Sequence, residues 1–173
     1  MTSQRFLTTI LCDDVRREEG NKLSYMGIYI ADVLLASFPA TLPKLCFVMN
    51  LCSPGEMPPP KGITFLIFNN ETLLAELRLD EESIANYAAS ARPEENPESL
   101  RLSILNVAQL VPMKFDAPCE LKVRAICDGE EVRGGRWKVG LLPTVVHRDV
   151  SSAIVSGSGA SARSISGESS RRT

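Results

Sequence analysis

The stretch CELKVRAICDGEEVRGGRW, residues 119–137, decides the fold class of this chain. From Cys119 to Ala125, apolar and charged side chains alternate, as they do in a strand with one buried face and one wet face. Asp128-Gly129 is a strong signal for a tight hairpin turn, and the chain returns from Glu130. These residues therefore predict an antiparallel β fold rather than an α/β fold.

The return strand contains a break in this alternation. Val132 and Trp137 are five residues apart, so strict alternation would place their side chains on opposite faces of the sheet. Gly134 and Gly135 lie between them, and a β-bulge there would add one residue and bring both side chains to one face. We therefore predict a bulge at Gly134-Gly135.

The same period of two recurs along most of the chain. Further strands are predicted at 6–12, 23–30, 45–52, 63–68, 72–79 and 100–107. The almost wholly apolar run 45–52 is expected to be the most buried strand, and 6–12 to be a buried central strand. The predicted fold is mainly β: an antiparallel β-sandwich, immunoglobulin-like or jelly-roll-like, with about eight strands.

Two strands, 63–68 and 72–79, form a second predicted hairpin around Asn69-Asn70, since asparagine tolerates the positive φ of tight turns. Alternation places Leu73, Ala75, Leu77 and Leu79 on its buried face. One short helix is predicted over 80–91, with Asp80 as its N-cap. Its apolar face would comprise Ile84, Tyr87, Ala88 and Ala91.

Three segments are predicted to lie outside the regular strands. The charged run 13–22 is too polar for a strand and contains a Gly20-Asn21 turn signal. Residues 31–44 contain two prolines, which exclude an interior strand. Residues 54–62 contain the triplet Pro58-Pro59-Pro60 and predict an extended surface loop.

The chain divides by composition into a sandwich domain, 1–142, and a flexible Ser/Gly/Arg-rich tail, 143–173. From 151 to 173, nine residues are Ser and three are Gly, so this segment has too little apolar surface to offset the entropy of ordering it. Its three arginines and Glu168 give the segment a net charge of +2, which leaves −4 on the first 150 residues. This distribution weighs against nucleic-acid binding.

Several function classes are disfavoured. No apolar stretch approaches the roughly 20 residues of a spanning helix, and the first residues lack a signal-peptide pattern, so a cytoplasmic protein without a membrane segment is expected. Nucleophilic catalysis usually needs an activating base, but the chain has one histidine, His147, and no G-x-S-x-G motif. We therefore predict no enzymatic activity and no catalytic residues.

No metal or cofactor site is predicted either. The five cysteines (12, 46, 52, 119 and 127) contain no CxxC pair and are expected to be small apolar residues in a reducing compartment. A calcium site built from Asp13, Asp14 and Asp128 would supply only two or three of the six to eight oxygens that calcium requires. The neighbouring arginines would also repel the cation.

A family resemblance rests on three parts of the sequence: LCDDVRREEGNKLSYMGIY at residues 11–29, the segment from Phe38-Pro39 to Leu45, and the Asp128-Gly-Glu-Glu hairpin. Together they resemble a family of small uncharacterised proteins from bacteria and their phages. The resemblance covers about residues 5–141. It implies a β-sandwich in a cytosolic or phage-associated setting, and it implies no activity and no catalytic residues.

Two functions remain open. The first is a non-enzymatic protein-binding or assembly module that presents loops 13–22, 31–44 and 53–62 to a protein partner or to another copy, as a phage structural or accessory protein in the virion would. The second is a regulatory domain that binds a small ligand or an ion. The candidate interaction residues are Asp13, Asp14, Arg16, Arg17, Pro58, Pro59, Pro60, Arg171 and Arg172.

Overall fold

The computed structural model describes residues 4–54, 57–90 and 101–143. These residues form eleven strands and one helix. In chain order the elements are β1 (Phe6–Glu18), β2 (Lys22–Ile28), β3 (Val33–Leu35), β4 (Ala40–Leu42), β5 (Leu45–Pro54), β6 (Ile63–Asn69), β7 (Thr72–Leu79), α1 (Glu81–Ser90), β8 (Arg101–Leu110), β9 (Met113–Phe115), β10 (Cys119–Cys127) and β11 (Glu130–Leu141).

Two larger sheets make up the fold. The first has the strand order β2-β1-β5-β8, and the second has the order β3-β11-β10-β6-β7. Buried apolar side chains from both sheets form one core, in which the ring of Phe47 on β5 meets Trp137 on β11 edge to face at 6.3 Å. The predicted β-sandwich, with one short helix, is confirmed.

The eight predicted strands are present, and three short ones were missed. β4 and β9 pair in a small two-stranded sheet, and β3 lies at the edge of the second sheet. An antiparallel sandwich was predicted, but β3 runs parallel to β11, so one strand pair departs from that prediction. The prediction that 31–44 holds no interior strand is correct, because β3 and β4 each have a single neighbour among the described strands.

β5 is the most buried strand, as its apolar composition predicts. All of its residues are buried except Asn50 and Pro54, which are half-buried. It lies between β1 and β8, so its backbone is paired on both sides. β1 also has two neighbours, so 6–12 is the predicted central strand, but it is only partly buried, because Phe6 and Thr8 are exposed.

The prediction that 13–22 is too polar for a strand was wrong. β1 continues to Glu18, where it pairs with Lys22 of β2 across the turn at Gly20 and Asn21. Cys12 is the last residue of β1 that pairs with β5, so the charged half of β1 extends past that neighbour. Charged side chains are tolerated there because a strand pairing with one neighbour can keep them in water.

The bulge at Gly134-Gly135 is confirmed. Lys122 on β10 pairs with Arg136 and Arg124 pairs with Arg133, so the two glycines together oppose a single residue, Val123. Beyond this irregularity Trp137 is buried, and Val132 packs against the same core.

The predicted hairpin of β6 and β7 is present, with Asn70 at a φ of 52°. Its turn lies one residue later than predicted, at Asn70 and Glu71, because Asn69 still belongs to β6 and pairs with Thr72. Its buried face differs by one residue from the prediction. Leu73 pairs with Phe68, and Ala75 pairs with Ile67, so Leu74 is an extra residue on β7. As a result Leu73 is exposed and Leu74 packs against the core in its place.

The predicted helix is present and joins an edge strand of each sheet. The carboxylate of Asp80 accepts a hydrogen bond from the Ser83 backbone N–H at 2.9 Å, which is the predicted N-cap. Ile84 is buried in the core. Among the described residues, no helix is long and apolar enough to cross a membrane. Ala91 and the predicted tail, apart from Pro143, lie outside the described residues.

Candidate functional site

Exposed apolar side chains are most frequent in and next to the edge strands β2 and β3. Ten large apolar side chains of the described residues are exposed, and six of them belong to β2, to the β2–β3 connection or to the paired ends of β3 and β11. We call these six the crossover surface: Met26, Ile28, Ile30, Leu34, Leu141 and Leu142. Isolated exposed apolar residues are common on protein surfaces, but six of them in neighbouring elements are not. These six residues are therefore the first candidate for a binding surface.

The crossover surface is held in place by backbone contacts to both sheets. After β2 ends, the Tyr29 N–H donates to the carbonyl of Leu11 at 2.9 Å in the first sheet. The Asp32 carboxylate then accepts from the Lys138 N–H at 3.2 Å in the second sheet. Ile30 lies between these two anchors and is 96% exposed, so the fold keeps this isoleucine in water.

A second feature of the crossover surface is the edge position of β2. Among the described strands, β2 pairs only with β1, and its other edge has no ladder partner. Met26 and Ile28 lie opposite Asp14 and Cys12 of β1, so their side chains share one face of the strand. An open strand edge beside exposed apolar side chains is the arrangement that favours pairing with another chain.

The predicted interaction residues Asp13 and Asp14 form anchors within the hairpin. The Tyr29 hydroxyl donates to Asp13 at 2.7 Å. The Asp13 carboxylate lies against Gly27, where a Cβ would come within 2.6 Å of its Cγ and where φ is +65°. Burial, reinforced by the Asp13 hydrogen bond, raises the pKa of Tyr29 far above its usual range.

Asp14 is paired with two cations. Lys44 and Arg16 both donate to its carboxylate, Arg16 at 3.3 Å. These hydrogen bonds, Lys44 first, lower the pKa of Asp14. The base of the β1–β2 hairpin is therefore a set of satisfied contacts on a strand and not the free loop that the charge run predicted.

The three carboxylates considered for calcium are not brought together. Asp128 lies beside Arg5, which immediately precedes β1, whereas Asp13 and Asp14 lie near the middle of that strand. Within 4–54, 57–90 and 101–143, no group of three or more His, Cys, Asp or Glu side chains could hold a metal ion.

A buried arginine, which the sequence did not single out, fixes the proline-rich loop. The Arg5 guanidinium donates to Ser53 Oγ at 2.8 Å and to the Pro58 carbonyl at 2.9 Å, and it lies 3.7 Å from Asp128. Pro58 and Pro59 are exposed, but Pro60 is buried. The prediction of a wholly surface-exposed triplet was therefore wrong at Pro60, because the loop is drawn against the sandwich by Arg5.

The five cysteines are free thiols, and all except Cys119 are buried. Burial, followed by the neighbouring Cys46 and the Asp13 and Asp14 carboxylates, raises the pKa of Cys12 to about 11. Burial also raises the pKa of Cys46, Cys119 and Cys127. Since the thiolate is the reactive form, burial makes these cysteines less reactive than free thiols near neutral pH.

Labelling of the native protein with a maleimide near neutral pH should therefore modify Cys119 first, and the other four only when the chain unfolds. Because the pKa of Cys12 rises from 9.0 to about 11 on folding, the unfolded chain loses this proton first, and the free energy of unfolding should fall across that pH interval. Peptide mass spectrometry checks the labelling. In the control variant Cys119→Ala, the fast phase of labelling should disappear. Fast labelling of Cys12 in the native protein would contradict its burial.

Alternating apolar residues at Met26, Ile28 and Ile30 were the only sequence signal for the crossover surface. The sequence predicts a strand over 23–30, and only the position of β2 at the sheet edge shows that these side chains remain exposed. Arg171 and Arg172 lie outside the described residues.

Comparison with protein families gives a match. The model of a family of unknown function (DUF6941) matches residues 7–139, which is most of the chain and nearly the whole described sandwich. A search of curated proteins finds no match. The matched residues, 7–139, agree with the range of about 5–141 over which the sequence motifs resemble an uncharacterised family.

Proposed function

We propose that this chain, which belongs to the DUF6941 family of unknown function, is a non-enzymatic assembly module that binds a second copy of itself through the crossover surface. The observation that carries the proposal is that six of the ten exposed large apolar side chains lie in or next to the edge strands β2 and β3, and that the outer edge of β2 has no partner among the described strands. Single exposed apolar residues need no partner, but such a grouping favours one.

A second copy suits this surface better than a charged partner. The six side chains that define it are all uncharged, so they offer no charge pattern by which to select an acidic or basic protein. A two-fold axis brings the same patch of both copies together, and an apolar patch is complementary to itself. Two β2 edges in antiparallel pairing would also join the backbone groups that each edge leaves open.

The expected affinity is modest. Twelve exposed side chains, six from each copy, would stabilise the dimer by about 12 kcal/mol at about 1 kcal/mol each. Association itself costs roughly 4–15 kcal/mol. At the lower end of that cost about 8 kcal/mol remains, which corresponds to a dissociation constant in the micromolar range, so the dimer should be no tighter than that.

Sedimentation velocity across the micromolar range should show a dimer that dissociates on dilution. The double substitution Ile28→Lys/Ile30→Lys places charges in the interface and should give a monomer at every concentration. Val111→Lys is the matched control, because Val111 is 64% exposed but lies between β8 and β9, away from the crossover surface. A wild type that stays monomeric, or a Val111→Lys variant that dissociates equally, would refute the proposal.

The proposal also covers the origin of the protein and the place where it acts. The family resemblance supports a bacterial or phage-encoded protein that acts in the cytoplasm or, as a structural or accessory component, in the virion. The neighbourhood of the gene tests this: position beside capsid and tail genes supports the virion, and position within a metabolic operon counts against it.

A further inference from the structure

A cavity of about 430 Å³ lies apart from the crossover surface, between the β1–β2 hairpin and β8. Val15 and Leu23 line it from the hairpin, and Leu105 and Val107 line it from β8. Tyr87 of α1 contributes to the same lining. The volume is that of a small-molecule site, and its walls are mixed, because the polar residues Arg17, Asn106 and Gln109 also line it.

The cavity exists because the hairpin continues beyond β5. Val15 and Tyr25 pack against Cys12, Cys46 and Val48 in a small cluster that is separate from the main core. Asn106 lies opposite the core residue Met49, whereas Val107 lies opposite Val48 of the small cluster. Residues of both faces of β8 therefore line the cavity, which reaches around the open edge of this strand.

Among the described lining residues, one side chain is charged, that of Arg17, and it is exposed. Arg17 makes no ion pair with any carboxylate of the described residues, in contrast to its neighbour Arg16, which pairs with Asp14. The amide nitrogen of Asn106 is buried and has no accessible surface through which a ligand could bind. The guanidinium of Arg17 is therefore the cation that a bound anion would meet in this lining.

We propose that this cavity binds a small apolar carboxylic acid, with the carboxylate held by Arg17 and the hydrocarbon part against Val15, Leu23, Leu105 and Val107. A guanidinium presents a pair of donors to the two oxygens of a carboxylate. No acidic side chain is among the described lining residues, so nothing there attracts a cation.

Calorimetric titration of the full chain with hexanoate, hexan-1-ol and hexylamine tests the chemistry. The acid should bind saturably, whereas the alcohol and the amine should bind at least about tenfold more weakly, because a hydrogen bond to a charged group contributes about a factor of ten or more. Equal binding of the alcohol and the acid, or no binding of the acid at millimolar concentration, would overturn the proposal.

Two arginine variants test the position. Arg17→Met should weaken hexanoate binding by about tenfold or more, and Arg17→Lys should recover part of it because the charge is restored. Arg16→Met is the matched control: it removes the adjacent arginine, which does not line the cavity, and should leave the affinity unchanged. Circular dichroism confirms that each variant is folded. Equal losses in Arg16→Met and Arg17→Met would show that general charge, and not this cavity, holds the acid.

Discussion

Replacing Gly135 with alanine should lower the free energy of unfolding by about 3 kcal/mol, at the upper end of the usual cost of overpacking. An added Cβ would collide with Thr9 Oγ1 of the facing sheet and with the indole ring of Trp137, whose Cζ2 would lie only 2.9 Å away. Both neighbours are constrained, since the Gly135 N–H donates to Thr9 Oγ1 at 2.7 Å and Trp137 is buried. The bulge therefore requires glycine for space.

The matched control is Gly140→Ala, the same substitution on the same strand. A Cβ at Gly140 would meet nothing within 4 Å. Alanine there also restricts the unfolded chain, so the variant should be unchanged or more stable by a few tenths of a kcal/mol. Urea unfolding measures both variants. Equal stability of Gly135→Ala and Gly140→Ala would mean that β11 does not face Thr9 as described.

Gly134-Gly135 also shows what the sequence could predict and why. The bulge, both tight turns and the helix cap each depend on residues within a few positions of one another, such as Val132 and Trp137 or Asp80 and Ser83. The position of β5 could also be predicted, because a strand whose side chains are apolar on both faces is stable only where both faces are buried, at the centre of a sheet. Local periodicity therefore predicted most of the sandwich.

Features that depend on distant neighbours were missed. β3 has three residues and no readable period, and it forms only because Val33–Leu35 meets the end of β11, about a hundred residues later in the chain. The charged half of β1 is a strand because β2 pairs with it, although its composition is that of a loop. Arg5 looked like an ordinary surface charge until the structure placed Ser53 and Pro58 around it.

The candidate site was the least predictable part for the same reason. Ile28 and Ile30 have the composition of core residues, and the sequence cannot distinguish a buried position from an exposed one at a sheet edge. Arg16 and Arg17 look alike in the sequence, but only Arg16 finds a carboxylate in the described structure. The positions of these side chains in the fold, and not their residue types, therefore decide which of them belong to the candidate site.

Phe47→Ala should be the most destabilising single change, lowering the free energy of unfolding by about 3–5 kcal/mol. Phe47 is 0% exposed on the central strand β5, and its ring meets Trp137 of the opposite sheet edge to face at 6.3 Å and 79°. Truncation would remove apolar burial, open a cavity between the two sheets and break this aromatic contact, which itself contributes roughly 0.5–1.5 kcal/mol. A domain of this size has only about 5–15 kcal/mol in total, so the variant should be close to unfolding.

Phe6→Ala is the control, because it removes the same ring from β1, where Phe6 is 43% exposed. Its cost should stay within about 1–2 kcal/mol, since much of that ring already lies in water. Urea unfolding of both variants, with Phe47→Leu as a conservative third, gives the comparison. Phe47→Leu should fall between them because most of the apolar volume remains. Equal losses in Phe47→Ala and Phe6→Ala would contradict a core between the two sheets, since only a residue enclosed by both should depend on filling that space.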